Sequence, residues 1–390
     1  MVCPPGRANV TEMEALFYIF LLLCGYSYFL YPLILKALPA RPSTEHTLDD
    51  SAGVPLLSLI ITVHNEEARI REKLENTLAL DYPRDRLEIV IASDFSEDAT
   101  DSIVESYAHQ GVRLVRADQR KGKEYAQLCA IREAAGEILV FSDVATTIPP
   151  DALHKLASAF IDERVGALSS EDRFISQDGR VAGEGAYVKY EMWLRRLESD
   201  HAGLVGLSGS FFAARRQICE DWDIYSPSDF NTALNCAKQG LVAVTSPEVV
   251  GIYQDVKDSS LEFRRKVRTV IRGLTAIVRH PEVLNPLGMG LFAFQVWSHK
   301  IMRWAVPWFM LGFAILTLLL QSRGGIYQAA LVAQLLFYGI ALLGWMSERA
   351  REHSVVRIIF FFVQTNLALA QAVASFLTGK RMTVWTPSRR

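Results

Sequence analysis

The longest apolar runs of the chain lie near its two ends and leave the middle without any. One run, at residues 15–35, contains no charged residue, and three more lie at residues 305–320, 326–346 and 358–377. An α-helix rises about 1.5 Å per residue, so about 20 residues span the roughly 30 Å hydrocarbon core of a bilayer. The pattern predicts one amino-terminal membrane helix and about three near the carboxyl end.

These runs divide the chain into seven segments. A cleaved signal peptide is the competing interpretation of the first run, but the run is too long and no small-residue cleavage motif follows it. The predicted segments are an amino-terminal tail (1–13), a membrane helix (14–37), a linker (38–54), a globular domain (55–285), an amphipathic interface helix (286–304), about three membrane helices (305–378) and a basic tail (379–390).

The middle of the chain alternates short apolar runs with helical periodicity. Runs at residues 56–63, 87–92, 112–115 and 138–141 are typical of buried parallel strands. Between the first two, apolar residues recur at helical spacing over residues 68–80. The alternation predicts a doubly wound, mostly parallel α/β sheet with helices on both faces.

Polar or acidic residues follow three of these strands. Asn65 and Glu66 follow the first, Asp94 follows the second and Asp143 follows the fourth. The carboxyl ends of parallel strands meet at one edge of a sheet, where open α/β sheets bind ligands. Helix capping is the alternative for each residue, because Asp and Asn are good N-caps, but their occurrence at three strand ends favours a shared ligand.

Composition narrows the class of ligand. The 390 residues carry a formal net charge of −2 without a long basic block, so the sequence predicts no nucleic-acid partner. The five cysteines are scattered without paired spacing, which indicates neither a zinc site nor a disulfide framework. The glycine motifs of dinucleotide-binding folds and of P-loops do not occur in the chain.

Six short motifs occur in an order that resembles a membrane-bound family 2 glycosyltransferase of the cellulose and hyaluronan synthase-like superfamily. Between about residues 55 and 274 the chain contains, in order, NEE, DFSEDAT, GK, FSD, GLSGSFFAARR and PSDF. Each motif is weak alone, and their common order carries the resemblance. It implies a GT-A fold, a nucleotide-sugar donor, a divalent metal ion and inversion at the anomeric carbon.

The resemblance also implies donor-binding residues. They are Thr62, Asn65, Glu66, Asp94, Lys123, Asp143, Arg265 and Arg268. Among them, Asp94 is expected to accept hydrogen bonds from the nucleobase, expected to be uracil, and Lys123 to bind the diphosphate at a helix start. The two arginines lie in a basic helix and are expected to pair with the leaving diphosphate. Binding of that helix to anionic lipid is the alternative.

A metal site is expected at Asp143, which corresponds to the first acid of the metal-binding D-x-D motif of the family. Ala145 replaces the second acid. Mg²⁺ and Mn²⁺ prefer oxygen ligands, and Mg²⁺ usually keeps several waters. One carboxylate with two phosphate oxygens can therefore hold the ion, and we expect a weaker site unless a later residue adds a ligand. An inactive site is the alternative.

The acceptor hydroxyl needs a general base, and the resemblance assigns this role to Asp229 of the PSDF motif. A helix cap is the alternative for this residue. Upstream, Gly206, Ser208 and Gly209 belong to a glycine-rich stretch that lets an acceptor approach the backbone. The resemblance implies that these three residues bind the acceptor.

Positive charges give conflicting information on topology. Arg349, Arg351 and Arg357 favour a cytoplasmic loop between the last two spans, which places the globular domain in the cytoplasm as well. The same count of membrane crossings places the basic tail (379–390) outside, although positively charged segments usually lie in the cytoplasm. The expected location is a bacterial inner or plasma membrane. The expected partners are a nucleotide-sugar, a lipid-linked or polysaccharide acceptor, and an envelope polysaccharide assembly.

The sequence thus predicts an inverting hexosyltransferase that uses a UDP-sugar and a lipid-linked or polysaccharide acceptor. The absence of a Q-x-x-R-W motif favours few additions over processive synthesis. A catalytically weak scaffold subunit of a polysaccharide machine is the alternative. Ala145 motivates that alternative, whereas the intact Asp94, Lys123, Asp143 and Asp229 oppose it. A transporter has little support, because the spans carry no charge at their centres.

Overall fold

The computed structural model describes residues 5–42, 54–175, 186–254 and 259–382. These residues cluster into two compact units. The helical unit is formed by residues 5–34, 259–274 and 296–381, and the sheet unit by residues 35–42, 54–175, 186–254, 275–295 and 382.

Seven strands of the sheet unit form one mixed sheet in the order β3-β2-β1-β4-β6-β5-β7. They are β1 (Leu57–Val63), β2 (Leu87–Ser93), β3 (Val112–Arg116), β4 (Ile138–Asp143), β5 (Val165–Ile175), β6 (Phe211–Arg215) and β7 (Val242–Gln254). The first four strands along the chain are mutually parallel, and β5 is parallel to β7. Only β6 is antiparallel to its neighbours. The prediction of a mostly parallel α/β sheet is therefore confirmed.

The described residues also form thirteen α-helices. In chain order they are α1 (Pro5–Gly25), α2 (Tyr31–Ala37), α3 (Ile70–Leu78), α4 (Thr100–Glu105), α5 (Lys123–Glu133), α6 (Ala152–Ala159), α7 (Ala186–Ser199), α8 (Ser228–Lys238), α9 (Ser259–Arg279), α10 (Pro286–Val296), α11 (Met302–Leu320), α12 (Gly325–Met346) and α13 (Ser354–Leu377). A π-helical segment (Tyr26–Leu30) joins α1 to α2, and another (Trp297–Ile301) joins α10 to α11.

Strand β1 is buried along its whole length because apolar cores cover both faces of the sheet. Leu59 and Ile61 pack in one core together with Leu74 of α3. Ile60 points the other way, into a core that includes Ala126 of α5 and Phe141 of β4. A strand that is buried on both faces has no polar side, which explains its unbroken apolar run.

The antiparallel direction of β6 determines which stretch lies beside Asp143. The register pairs Ser142 of β4 with Phe211 of β6, so the chain enters β6 at the place where β4 ends. The backbone amide of Asp143 donates a hydrogen bond to the carbonyl of Ser210 at 2.9 Å. The glycine-rich stretch 206–210 therefore reaches the carboxyl end of β4.

Four helices of the described residues are long and apolar enough to cross a membrane. They are Val10–Ala37, Pro286–Arg323, Gly325–Met346 and Ser354–Leu377, and they contain the four apolar runs predicted from the sequence. The second is longer than the predicted span because it includes α10 and the π-helical segment before α11. Gly290, with φ of 52°, interrupts the helical backbone within α10.

Candidate active site

Hydrogen bonds join the two loops that follow β1 and β2. The backbone amide of Asn65 donates to Ser96 Oγ at 3.2 Å, and that of Glu66 donates to Thr100 Oγ1 at 2.8 Å. In return, the amide of Glu97 donates to Asn65 Oδ1 at 2.8 Å. The Asn65 side chain, predicted to bind the donor, thus also fixes the position of the neighbouring loop.

Each of these loops contains a non-glycine residue in the left-handed backbone region. Asn65 has φ of 52° and Phe95 has φ of 56°, and no other non-glycine residue in the described part of the chain has a positive φ. Asparagine tolerates this conformation, whereas a bulky side chain adopts it only at a cost in free energy. Strain of this kind concentrates at functional sites.

Asp94 is fully buried immediately after β2. Its Oδ1 accepts the backbone N–H groups of Lys121 at 3.2 Å and of Gly122 at 3.0 Å. Its Oδ2 is also buried and has no hydrogen-bond partner among the described residues. Burial raises the pKa of Asp94, and the hydrogen bond from Gly122 opposes this rise. Because an unsatisfied buried acceptor is costly, Oδ2 is suited to receive a ligand N–H group.

Thr62 and Glu66 are both buried at the end of β1 and in the loop after it. Within the described residues, Thr62 Oγ1 has no hydrogen-bond partner. Glu66 instead accepts hydrogen bonds from Arg69 Nε at 2.8 Å and Nη2 at 2.7 Å. Burial raises the pKa of Glu66, and the contact with Arg69 opposes this rise. A direct role of either residue in donor binding stays a prediction.

Lys123 and Asp143 form an ion pair where the glycine-rich stretch reaches the carboxyl end of β4, a region called the crevice below. Lys123 Nζ donates to Asp143 Oδ1 at 2.6 Å and to the carbonyl of Gly209 at 2.8 Å. Lys123 begins α5 and is buried, whereas Asp143 ends β4 and is partly exposed. The structure thus brings together residues that the sequence assigned separately to donor and acceptor binding.

A second buried lysine, which the sequence analysis missed, supports the turn after β4. Lys73 Nζ donates to Ser142 Oγ at 2.8 Å and to the carbonyl of Thr146 at 2.6 Å. Burial lowers the pKa of Lys73 to about 7, and the charge of Asp143 opposes this change. Lys73 therefore holds both ends of the turn that contains Asp143 and Ala145.

The surroundings of Asp143 fit a divalent metal ion only together with a bound donor. Ala145 offers no side-chain ligand, and the described residues contain no group of three or more His, Cys, Asp or Glu side chains that could hold a metal. Mg²⁺ is often bound through one or two carboxylates plus substrate phosphates. Asp143 can provide such a carboxylate, so these residues are compatible with an ion that a diphosphate helps to bind.

The glycine-rich stretch also contacts two further acids. Ser208 Oγ donates to Asp172 Oδ1 at 2.6 Å. A Cβ atom added to Gly209 would lie only 3.1 Å from Asp229 Oδ2, so the backbone of Gly209 packs directly against that carboxylate. Together with the carbonyl of Gly209 that binds Lys123, these contacts place the predicted base and the predicted acceptor residues in one crevice.

Asp229 is the second residue of α8, which begins at Ser228. Pro227 occupies the N-cap position, and no side chain of the described residues makes a capping bond there. The alternative interpretation of Asp229 as the N-cap residue is therefore wrong. The backbone amide of Leu207, which follows the partly exposed Gly206, donates to the carbonyl of Asp229 at 3.2 Å.

Asp172 is an acid of this crevice that sequence reasoning missed. It lies on β5 opposite Gly251 of β7. Tyr253, two residues further along β7, is buried, and burial together with the charge of Asp172 raises the pKa of Tyr253. The only signal in the sequence was an acidic pair inside a strand, and the partner of Asp172 lies 36 residues away at Ser208.

The two arginines assigned to the leaving diphosphate lie outside the sheet unit. Arg265 and Arg268 belong to the part of α9 that clusters with the helical unit. Arg265 is exposed and Arg268 is partly buried. Their contact with a donor stays a prediction.

Comparison with protein families gives a match to the model of glycosyl transferase family 2 over residues 58–222. The matched region begins in β1 and ends after β6. It contains Asp94, Lys123 and Asp143 but not Asp229.

The curated relatives that match are glycosyltransferases. A probable glycosyltransferase, YdaM, from Bacillus subtilis (strain 168) is 32% identical over 129 residues, which is 32% of this chain and 31% of the relative. A beta-monoglucosyldiacylglycerol synthase from Synechocystis sp. is 27% identical over 193 residues, 47% of this chain and 40% of the relative. The chain thus spans less than half the length of these relatives.

A solved structure resembles most of the chain. It is the mannosyltransferase PcManGT from Pyrobaculum calidifontis in complex with GDP-Man and Mn²⁺. The two are 25% identical, with a TM-score of 0.72, and the alignment covers 95% of this chain and 100% of the other. The mixed seven-stranded sheet therefore has the GT-A fold.

Proposed function

We propose that this chain, which matches the model of glycosyl transferase family 2 over residues 58–222, transfers a sugar from a nucleoside diphosphate sugar to an acceptor at a membrane, with inversion. The observation that carries this proposal is the convergence of the Lys123–Asp143 pair, the Gly209 backbone and Asp229 in one crevice. A cation beside the diphosphate and a carboxylate beside the acceptor hydroxyl are the groups that such a transfer requires.

The donor nucleotide binds in this proposal at the loops after β1 and β2. Asp94 Oδ2, which has no partner among the described residues, accepts an N–H group of the nucleobase. Both uracil and guanine present such a group. The resemblance of the motifs implied uracil, whereas the similar solved structure holds GDP-Man.

The donor diphosphate extends from the nucleobase towards Asp143. Lys123 Nζ, which donates to Asp143 in the free chain, also donates a hydrogen bond to a phosphate oxygen of the bound donor. Its positive charge stabilises the leaving group. A Mg²⁺ or Mn²⁺ ion, held by Asp143 and the phosphates, would add further neutralisation of that charge. Lys73 acts indirectly, because it holds the turn that positions Asp143.

Asp229 acts as the general base. It accepts the proton of the acceptor hydroxyl while the acceptor oxygen forms a bond to the anomeric carbon. The bond from that carbon to the phosphate oxygen breaks at the same time, on the opposite face of the sugar, which inverts the configuration. The Gly209 backbone packs against this carboxylate and keeps it in place.

A lipid or lipid-linked glycan is the proposed acceptor, with a growing polysaccharide as the second candidate. The four apolar helices would keep the enzyme at the surface where such acceptors are found. One of the relatives is named as a synthase of a glucosyl lipid, which supports the first candidate. The proposed location is a bacterial inner membrane with the sheet unit in the cytoplasm.

A donor panel tests the proposed function. Membranes that contain the full chain are incubated with radiolabelled UDP-sugars and GDP-sugars, with Mn²⁺ or with EDTA. Label in a lipid extract supports single addition, and label in high-molecular-weight material supports polymer synthesis. Absence of transfer and of hydrolysis with every donor would contradict the enzyme and favour the scaffold alternative.

A further inference from the structure

We propose that the ring of Phe95 is the stacking surface for the nucleobase of the donor, an inference that rests on the proposed function and deepens it. Phe95 directly follows the buried Asp94, whose Oδ2 lacks a partner in the described residues. A nucleobase requires both a surface for its face and a hydrogen-bonding group for its edge. Adjacent residues of one loop supply the two.

The backbone of Phe95 indicates that the position of its ring is functional. With φ of 56°, Phe95 has a conformation that bulky residues rarely adopt. Its ring belongs to neither of the two apolar cores that the described residues form beside the sheet. Core packing therefore does not account for the conformation, and strained residues of this kind cluster at ligand-binding sites.

Arg116 fixes the orientation of this ring. It is the last residue of β3, and its guanidinium carbon lies 4.5 Å from the centre of the Phe95 ring. Arg116 Nη1 also donates to the carbonyl of Ser96 at 2.9 Å and pairs with Asp101. Asp101 is held in turn by Ser93 Oγ at 2.7 Å. The arginine is thus anchored, and the ring it contacts remains partly exposed.

In this proposal Phe95 contributes affinity by stacking on the face of the base, and Asp94 contributes selectivity by bonding its edge. Every nucleobase has a π-face, so an aromatic ring contributes affinity with little preference between uracil and guanine. The carboxylate of Asp94 discriminates among bases by their N–H groups. Loss of the ring should therefore weaken binding of all nucleoside diphosphates and leave binding of the phosphates themselves unchanged.

Three substitutions at one position test this. Phe95→Trp keeps an aromatic ring, Phe95→Ala loses the ring and keeps a strained Cβ, and Phe95→Gly loses both the ring and the strain. Calorimetry on the purified full chain measures the affinity for UDP, GDP and inorganic pyrophosphate. Thermal unfolding of each variant provides the independent measure of stability.

We expect the Ala and Gly variants to bind whichever nucleotide the wild type binds roughly 5- to 150-fold more weakly, as the loss of one base–aromatic stack predicts. The Trp variant should bind like the wild type, and pyrophosphate affinity should not change. The Gly variant should unfold at a higher temperature than the Ala variant. Tyr225→Ala, which removes another arginine-stacked ring, 4.9 Å from Arg279, is the matched control and should keep nucleotide affinity.

Two results would overturn the inference while the proposed function stands. One is wild-type nucleotide affinity in Phe95→Ala. The other is an equal loss for pyrophosphate and nucleotide that follows the loss of thermal stability, which indicates a merely structural ring. A wild-type chain that binds neither UDP nor GDP would contradict the proposed function itself.

Discussion

Asp229 lies in the first turn of α8 with its carboxylate against the Gly209 backbone. We expect Asp229→Asn to lower the transfer rate about 10²- to 10⁴-fold, because the amide keeps the shape and loses the capacity to accept a proton. Nucleotide affinity should stay unchanged. Steady-state transfer assays and nucleotide calorimetry measure the two quantities.

The control for this substitution is Asp221→Asn, at a carboxylate whose side chain is 71% exposed. It should keep the rate of the wild type. If Asp229→Asn also keeps that rate, Asp229 is not the base, and Asp172 is the next carboxylate of the crevice to examine.

Lys73 links the stability of the sheet unit to pH. The pKa of Lys73 is lowered from 10.5 to about 7 in the folded chain. Between these values the unfolded chain binds more protons, so the contribution of Lys73 to stability rises with pH from about 7 upwards. We therefore expect the melting temperature of the wild type, relative to Lys73→Met, to increase from pH 7 towards pH 9.5.

The matched control for Lys73 is Lys155→Met, which removes a lysine whose side chain is 38% exposed. Its difference from the wild type should not change in the same direction over this pH range. A flat difference between the wild type and Lys73→Met would show that the buried amine keeps its ordinary pKa.

Some residues of the candidate site can be predicted from the sequence, and others cannot. Asp94 and Asp143 were predicted because each lies at the end of a strand, whereas Lys123 was predicted from the family resemblance together with its place at a helix start. Lys73 was missed because it resembles any solvated lysine on a helix. Its burial depends on acceptors 69 and 73 residues away, which no local pattern contains.

The glycine-rich stretch is the element that contacts both Asp229 and the Lys123–Asp143 pair. Alanine at position 209 would place Cβ 3.1 Å from Asp229 Oδ2, so the carboxylate would have to move by a few tenths of an ångström. We expect Gly209→Ala to lower the turnover number without unfolding the protein, because catalysis depends strongly on the geometry of the reacting groups. Transfer assays and melting curves test this expectation.

Gly288→Ala is the control, since its Cβ would have nothing closer than 3.6 Å and ordinary contacts only. Wild-type turnover in Gly209→Ala would mean that the carboxylate relaxes freely and that its position is less constrained than the packing indicates.

For the strands, the local sequence pattern predicts position along the chain but not direction in the sheet. Strands β1 to β4 were predicted within one or two residues because each contains a short apolar run, and β1 and β4 are buried almost along their whole length. Strand β6 is equally buried, with the Phe212 ring 4.8 Å from that of Phe141. Its short run was identified as part of a motif, but its direction is set by pairing with β4 and β5, which spacing along the chain does not encode.

At the scale of the whole molecule, the proposed function requires the sheet unit to face the nucleotide-sugar pool. Asp85 has a side chain that is 84% exposed and lies in this unit. In a cysteine-free background, Asp85→Cys should react with a membrane-impermeant maleimide in inverted membrane vesicles and not in intact cells. Labelling of intact cells would place the domain on the wrong side of the membrane.

The direction of β6 has a consequence for how such a chain can diversify. If β6 were parallel to β4, the loop that follows β6 would lie beside Asp143. Because β6 is antiparallel, the segment that precedes β6 lies there instead, and the Ser210 carbonyl anchors it to the Asp143 amide. The segment before Gly209 can therefore change its length or composition without shifting the register of β4. If the glycine-rich stretch has its proposed role, new acceptor preferences would evolve through residues before Gly209, while the carbonyls of Gly209 and Ser210 keep binding Lys123 and Asp143.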